Sequence, residues 1–233
     1  TARMDTNNAS GEAVVKGSGE DSPSLGAGSG GGSADGASGT QGGDDDSLHA
    51  AAYAGHCDTV QRFLDEGCDP DLVDDSNDRW NGGSPLCYAA VKGQHSVMRA
   101  LLDAGADIEA RFDGFTPLML AAQRGYVEAV QLLVDRGASI DAVDSTADGG
   151  TALIWASAEN QVDIIQILAA HGANLNAADA QGDTPLANAA LQGHSEAVSE
   201  LIALGACVKT HNASGKSPFD LATGAGHTAV AEC

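Results

Sequence analysis

From residue 46 onward, one pattern with a period of about 33 residues is written five times and begun a sixth. A repeat unit of this size cannot bury an apolar face alone, so each copy has to stack on its neighbours. The segments SPLCYAAVKGQHSVMRALLDAGADIEA, TPLMLAAQRGYVEAVQLLVDRGASIDA and TPLANAALQGHSEAVSELIALGACVKT align without gaps. TALIWASAENQVDIIQILAAHGANLNA keeps the same frame with more departures. Ser84, Thr116, Thr151, Thr184 and Ser217 open successive copies, and Asp46 takes that place in the weaker first one. The spacings are 38, 32, 35, 33 and 33 residues.

The residue types in one copy predict two short helices and a turn. Ser or Thr caps the first helix, and Pro follows where its missing N–H costs nothing. Leu86, Leu118, Leu153 and Leu186 should face inward, while paired alanines (Ala89 and Ala90, Ala121 and Ala122, Ala189 and Ala190) let helices approach closely. Gly55, Gly93, Gly125 and Gly193 break the chain between helices, and Asn160 replaces that glycine in the fourth copy. Asn is the usual second choice for a left-handed residue. In the second helix Val127, Val130, Leu132 and Leu133 recur at helical spacing. That helix ends in Gly-Ala at Gly105, Gly137, Gly172 and Gly205. Gly82, Gly114, Gly149, Gly182 and Gly215, two residues before each opening Ser or Thr, mark tight turns.

Residues 1–43 differ in kind. Glycine and serine dominate, with almost nothing to bury, so this acidic tail is expected to stay disordered as a linker or tether. A targeting remnant or a modifiable serine-rich arm is the sharper alternative. Asp44, Asp45 and Asp46 close the tail and suit the electropositive start of a helix. The chain therefore divides into a tail, 1–43, and a repeat domain, 44–233, with copies at about 46–78, 79–110, 111–145, 146–178, 179–211 and a partial 212–233. Thr at residue 1 and a helical pattern cut at Cys233 suggest a processed chain or a fragment.

Charge and cysteine usage narrow the function classes. Asp and Glu number 33 against 11 Lys and Arg, for a net charge of −22. Nucleic acid and anionic membrane surfaces need a cationic footprint, so neither is an expected partner. No apolar run approaches the roughly 20 residues that span a bilayer. The acidic surplus reads first as a solvated surface and second as an attraction for a basic partner. Cys57, Cys68, Cys87, Cys207 and Cys233 are an odd, scattered set that suits reduced thiols in an intracellular compartment, cytoplasmic or nuclear.

Chemistry finds no foothold in the residue pattern. His49 and His56 with Cys57, Cys68 and Cys87 could be imagined around zinc, but no CxxC or HxxxH spacing joins them. His56, His194 and His227 share a position that Gln94, Tyr126 and Gln161 fill elsewhere, a swap that a ligand or a catalytic base would not survive. They read as structural hydrogen-bonding residues, and so does His171 in the last turn of a helix. No nucleophile–base pair, phosphate loop or kinase motif is present. No catalytic residue, metal, cofactor or small-molecule substrate is expected.

These linked signals resemble the ankyrin-repeat family over about 190 residues of the chain. The resemblance implies an all-α solenoid of stacked helix-turn-helix units, with finger loops projecting towards a concave face. It also implies a non-catalytic scaffold or adaptor that binds a protein partner. The rival reading is a regulatory or assembly segment of a larger enzyme, channel or multi-subunit complex. Family members present variable finger residues, and the two residues after the paired alanines, to the partner. Here these are Tyr53, Arg79, Trp80, Asn81, Val91, Lys92, Phe112, Asp113, Phe115, Gln123 and Arg124. They include a large share of the chain's two Trp, three Tyr and four Phe, and exposed aromatics and Arg anchor interfaces. Asn176 lies where asparaginyl hydroxylases modify some family members, a place that Asp71, Glu109, Asp141 and Lys209 hold in other copies.

Overall fold

The computed structural model describes residues 47–73 and 82–231, all within one compact unit, Gln41–Cys233. The tail, 1–43, lies outside the described residues. Among the described residues twelve α-helices run in pairs: α1 (Leu48–Ala54) and α2 (Cys57–Asp65), α3 (Pro85–Lys92) and α4 (His95–Asp103), α5 (Pro117–Arg124) and α6 (Val127–Asp135), α7 (Ala152–Ala158) and α8 (Val162–Ala170), α9 (Pro185–Gln192) and α10 (Ser195–Ala203), α11 (Pro218–Ala225) and α12 (Thr228–Ala231). The first helices pack in the order α1, α3, α5, α7, α9, α11, and the second helices form a parallel outer row. The expected all-α solenoid is what forms.

The first helices start where a hydroxyl can cap them. Ser47, Ser84, Thr116, Thr151, Thr184 and Ser217 each accept the backbone N–H three residues on, at 3.1 to 3.4 Å. Ser47, and not the expected Asp46, caps α1. Its extended backbone and side-chain oxygen start the helix one residue later, so α1 has seven residues where α3 has eight. Asp46 itself lies outside the described residues.

Glycine ends these helices for two reasons at once. At Gly93 φ is +67°, a region that favours residues without a Cβ. A Cβ there would also stand 2.5 Å from the Tyr126 ring of the next copy. Asn160 substitutes for this glycine with φ of +56° and compensates through its side chain. Its Oδ1 accepts the Ala197 N–H at 3.1 Å, and its Nδ2 donates to Glu196 at 3.2 Å.

One apolar core runs the length of the stack. Leu86, Leu118, Leu153 and Leu186 are buried, as are the paired alanines, Val130, Leu132 and Leu133. Successive copies are stitched by a ladder of side-chain acceptors. Asp71 accepts the Asp107 N–H (2.8 Å), Glu109 that of Ser139 (2.6 Å), Asp141 that of Asn174 (2.9 Å) and Asn176 that of Cys207 (2.8 Å). Lys209, next in the series, carries no acceptor.

A second tie joins a first helix to the loop that follows its pair. His49 Nε2 lies 2.7 Å from the Leu72 carbonyl, and in the next copy the Cys87 thiol donates to Ala110 O at 3.5 Å. The thiol thus does the work of the imidazole, and burial pushes its pKa up to about 11.

Candidate protein-binding face

The residues that packing leaves variable gather at the C-terminal ends of the first helices. Lys92 and Arg124 are the last residues of α3 and α5 and are exposed; Val91 and Gln123 beside them are half-buried. Tyr53 is half-buried near the end of α1, and Lys92 Nζ lies 4.5 Å from its ring centroid. Five of the eleven expected partner-binding residues (Tyr53, Val91, Lys92, Gln123 and Arg124) therefore occupy equivalent places on three adjacent helices. Val91 also packs against the core, so only part of it is available.

The finger residues Phe112, Asp113 and Phe115 are held by a turn. Phe112 and Phe115 close a tight hairpin through paired backbone bonds of 3.0 and 2.9 Å. Asp113 (φ +50°) and Gly114 (φ +89°) form its tip, the Asp-Gly type I′ turn. This turns both rings back towards the helices. Phe112 packs 5.0 Å from Tyr88, and Phe115 meets Trp155 edge-on at 5.2 Å. Both pack against the core and are half-buried, as Tyr53 and Gln123 are, whereas Asp113 is exposed. Arg79, Trp80 and Asn81 lie outside the described residues.

Sequence reasoning passed over Tyr88, Trp155 and Asp144. Tyr88 and Trp155 hold the place four residues after the cap, where Leu120, Asn188 and Leu221 stand in other copies, and periodicity assigns that place only as helix interior. Asp144 is buried inside the finger between the third and fourth copies. Its carboxylate accepts from Gly150 N (2.6 Å), Trp155 Nε1 (3.1 Å), Thr146 N (2.9 Å), Gly149 N (3.2 Å) and the Thr146 hydroxyl. Burial would raise its pKa, but these donors outweigh burial and hold it below the ordinary carboxylate value. Asp183 in the next finger goes the other way. Burial raises it, helped by the charge of Asp179, against one bond from Asn212 and the charge of Lys216.

The fingers also bond to one another through backbone: Ser145 N–H to Gly114 O (3.0 Å), Ala180 N–H to Asp148 O (2.8 Å), Ala213 N–H to Gln181 O (2.9 Å). His194, at the place between helices, reaches the Ala158 carbonyl of the preceding copy at 2.9 Å. His171 Nδ1 lies 2.8 Å from Ile167 O.

Among the described residues no group of three or more His, Cys, Asp or Glu is placed to hold a metal ion, and no helix is long and apolar enough to cross a membrane. A separate apolar cleft of about 240 Å3 opens between the fifth and sixth copies, lined by Leu186, Val198, Ile202, Val208 and Phe219 among others. Two family models match the chain. Ankyrin repeats (3 copies) covers residues 48–144, and ankyrin repeats (many copies) covers 120–169 and 153–202.

Proposed function

Because this chain belongs to the ankyrin-repeat family, whose members are generally protein-interaction modules, we propose that it is a non-catalytic scaffold or adaptor. Its partner is a protein, seated on the first-helix row of the first three copies. One observation carries this reading. Ladder, caps and core consume the repeated residues, while the row of Tyr53, Lys92, Gln123 and Arg124 varies from copy to copy and reaches solvent. The scattered thiols of the sequence support an intracellular setting.

Position-dependent photo-crosslinking in the full chain tests the site. A benzoylphenylalanine at position 123 should capture one partner from extract, and the same probe at position 99, on outer helix α4, should not. Equal capture from both positions would move the site off this face.

A second reading, an assembly segment of a larger complex, is favoured by Phe219. It occupies the inward leucine place, yet is 58 % exposed where Leu186 is 2 %. Together with the adjoining cleft it offers an apolar seat at the other end of the stack.

A further inference from the structure

We infer that the segment bound on the first-helix row is acidic, an inference that rests on the concave-face reading above and names the partner's chemistry. The chain's net charge of −22 points to a basic partner, but the charges on this row have the opposite sign.

Lys92 and Arg124 hold the same place on α3 and α5, which pack side by side. Packed helix axes lie about 8–10 Å apart, so the two cations are neighbours. Neither forms an ion pair or a side-chain hydrogen bond among the described residues; the recorded contact of Lys92 is the Tyr53 ring. Of the other described Lys and Arg residues, two bind oxygen through their side chains. Arg136 pairs with Asp103 at 2.8 Å, and Arg111 donates to the Gly114 and Val143 carbonyls. A chain rich in carboxylates thus leaves two adjacent cations without one.

Helix electrostatics does not require cations at this place. A positive charge does favour a helix C-terminus, yet Ala54, Glu159, Gln192 and Ala225 fill the equivalent place in the other copies. Glu159 puts a like charge at that end, so the stack tolerates either sign. It also bounds the positive stretch, which ends at the third copy. The exposed finger acids Asp113 and Asp148 sit at the opposite ends of the first helices, so the acids nearest the row are Asp58 and Glu128 in the first turns of α2 and α6. An eight-residue helix is about 12 Å long, more than the screening length of about 8 Å at physiological salt. An extended peptide crossing α1, α3 and α5 therefore meets Tyr53, Lys92, Gln123 and Arg124 in turn. The Arg124 guanidinium can take a carboxylate in bidentate fashion, and the Tyr53 ring already steadies Lys92.

Panning the full chain against a random peptide display library tests this. Recovered binders should be enriched in Asp and Glu, and their affinity should fall about tenfold or more in the Lys92→Glu/Arg124→Glu double variant. Lys209→Glu, at the far end, should leave affinity unchanged. Binders without acidic enrichment that are still lost on Tyr53→Ala or Gln123→Ala would overturn the acidic inference and leave the concave-face reading standing. Binders indifferent to all four row substitutions, or no binders at all, would overturn both. Circular dichroism of the charge-reversed variant separates lost binding from lost fold.

Discussion

Trp155 Nε1 donates to Asp144 Oδ2 across 3.1 Å, tying the first helix of the fourth pair to the finger that precedes it. The same carboxylate gathers backbone N–H groups of its own loop, so one buried anion organises a finger longer than its neighbours.

Asp144→Ala should leave several buried donors without an acceptor and cost about 1–3 kcal/mol at neutral pH. The sign of the pH dependence follows from the lowered pKa in the fold. The stabilisation is complete above the unfolded value of about 3.9 and is lost as pH falls through the lower folded value. Urea unfolding at several pH values should show the gap between wild type and variant closing in acid. A gap that widens in acid would contradict the network.

Core substitutions should rank by burial, not by repeat position alone. Leu118→Ala, Leu133→Ala and Leu186→Ala should each cost about 2–5 kcal/mol, and a loss in a central copy could split unfolding into two transitions. Phe219→Ala, at the same place as Leu118 and Leu186 but exposed, should cost under about 1 kcal/mol. Chemical denaturation decides it; equal costs at Leu186 and Phe219 would mean that the sixth copy is covered.

Gly93 and Gly105 separate backbone strain from crowding. Both have positive φ, +67° and +94°, but a Cβ at Gly105 meets nothing within 4 Å. Gly105→Ala should cost about 1–2 kcal/mol. Gly93→Ala should cost at least about 1 kcal/mol more, because Tyr126 must move. Thermal unfolding of the pair checks the difference.

Thiol reactivity should follow placement. Cys207 is exposed and Cys87 is buried with its pKa near 11, so iodoacetamide at about pH 8 should label Cys207 first. Mass spectrometry over time measures both rates in one sample. Equal rates would show that the fold opens around α3.

Much of this architecture was local and therefore legible in the residues. A hydroxyl before Pro85 or Pro117 is a helix cap written in the sequence, Gly93 or Asn160 a helix end, and Leu118 recurs with its partners at a spacing that stacking satisfies. What needed the tertiary structure were contacts between copies. Phe112 and Phe115 are finger residues by sequence, and only the Asp113–Gly114 turn packs them onto Tyr88 and Trp155, residues from two different copies. Phe219 has the identity and place of a core residue, and only the structure shows that it is exposed. Ser47 caps α1 because its backbone is extended and its hydroxyl reaches the Ala50 N–H, which the alignment of copies does not reveal. Charge shows the same division. The whole chain is acidic by composition, but stacking sets Lys92 on α3 beside Arg124 on α5, a juxtaposition that composition does not carry.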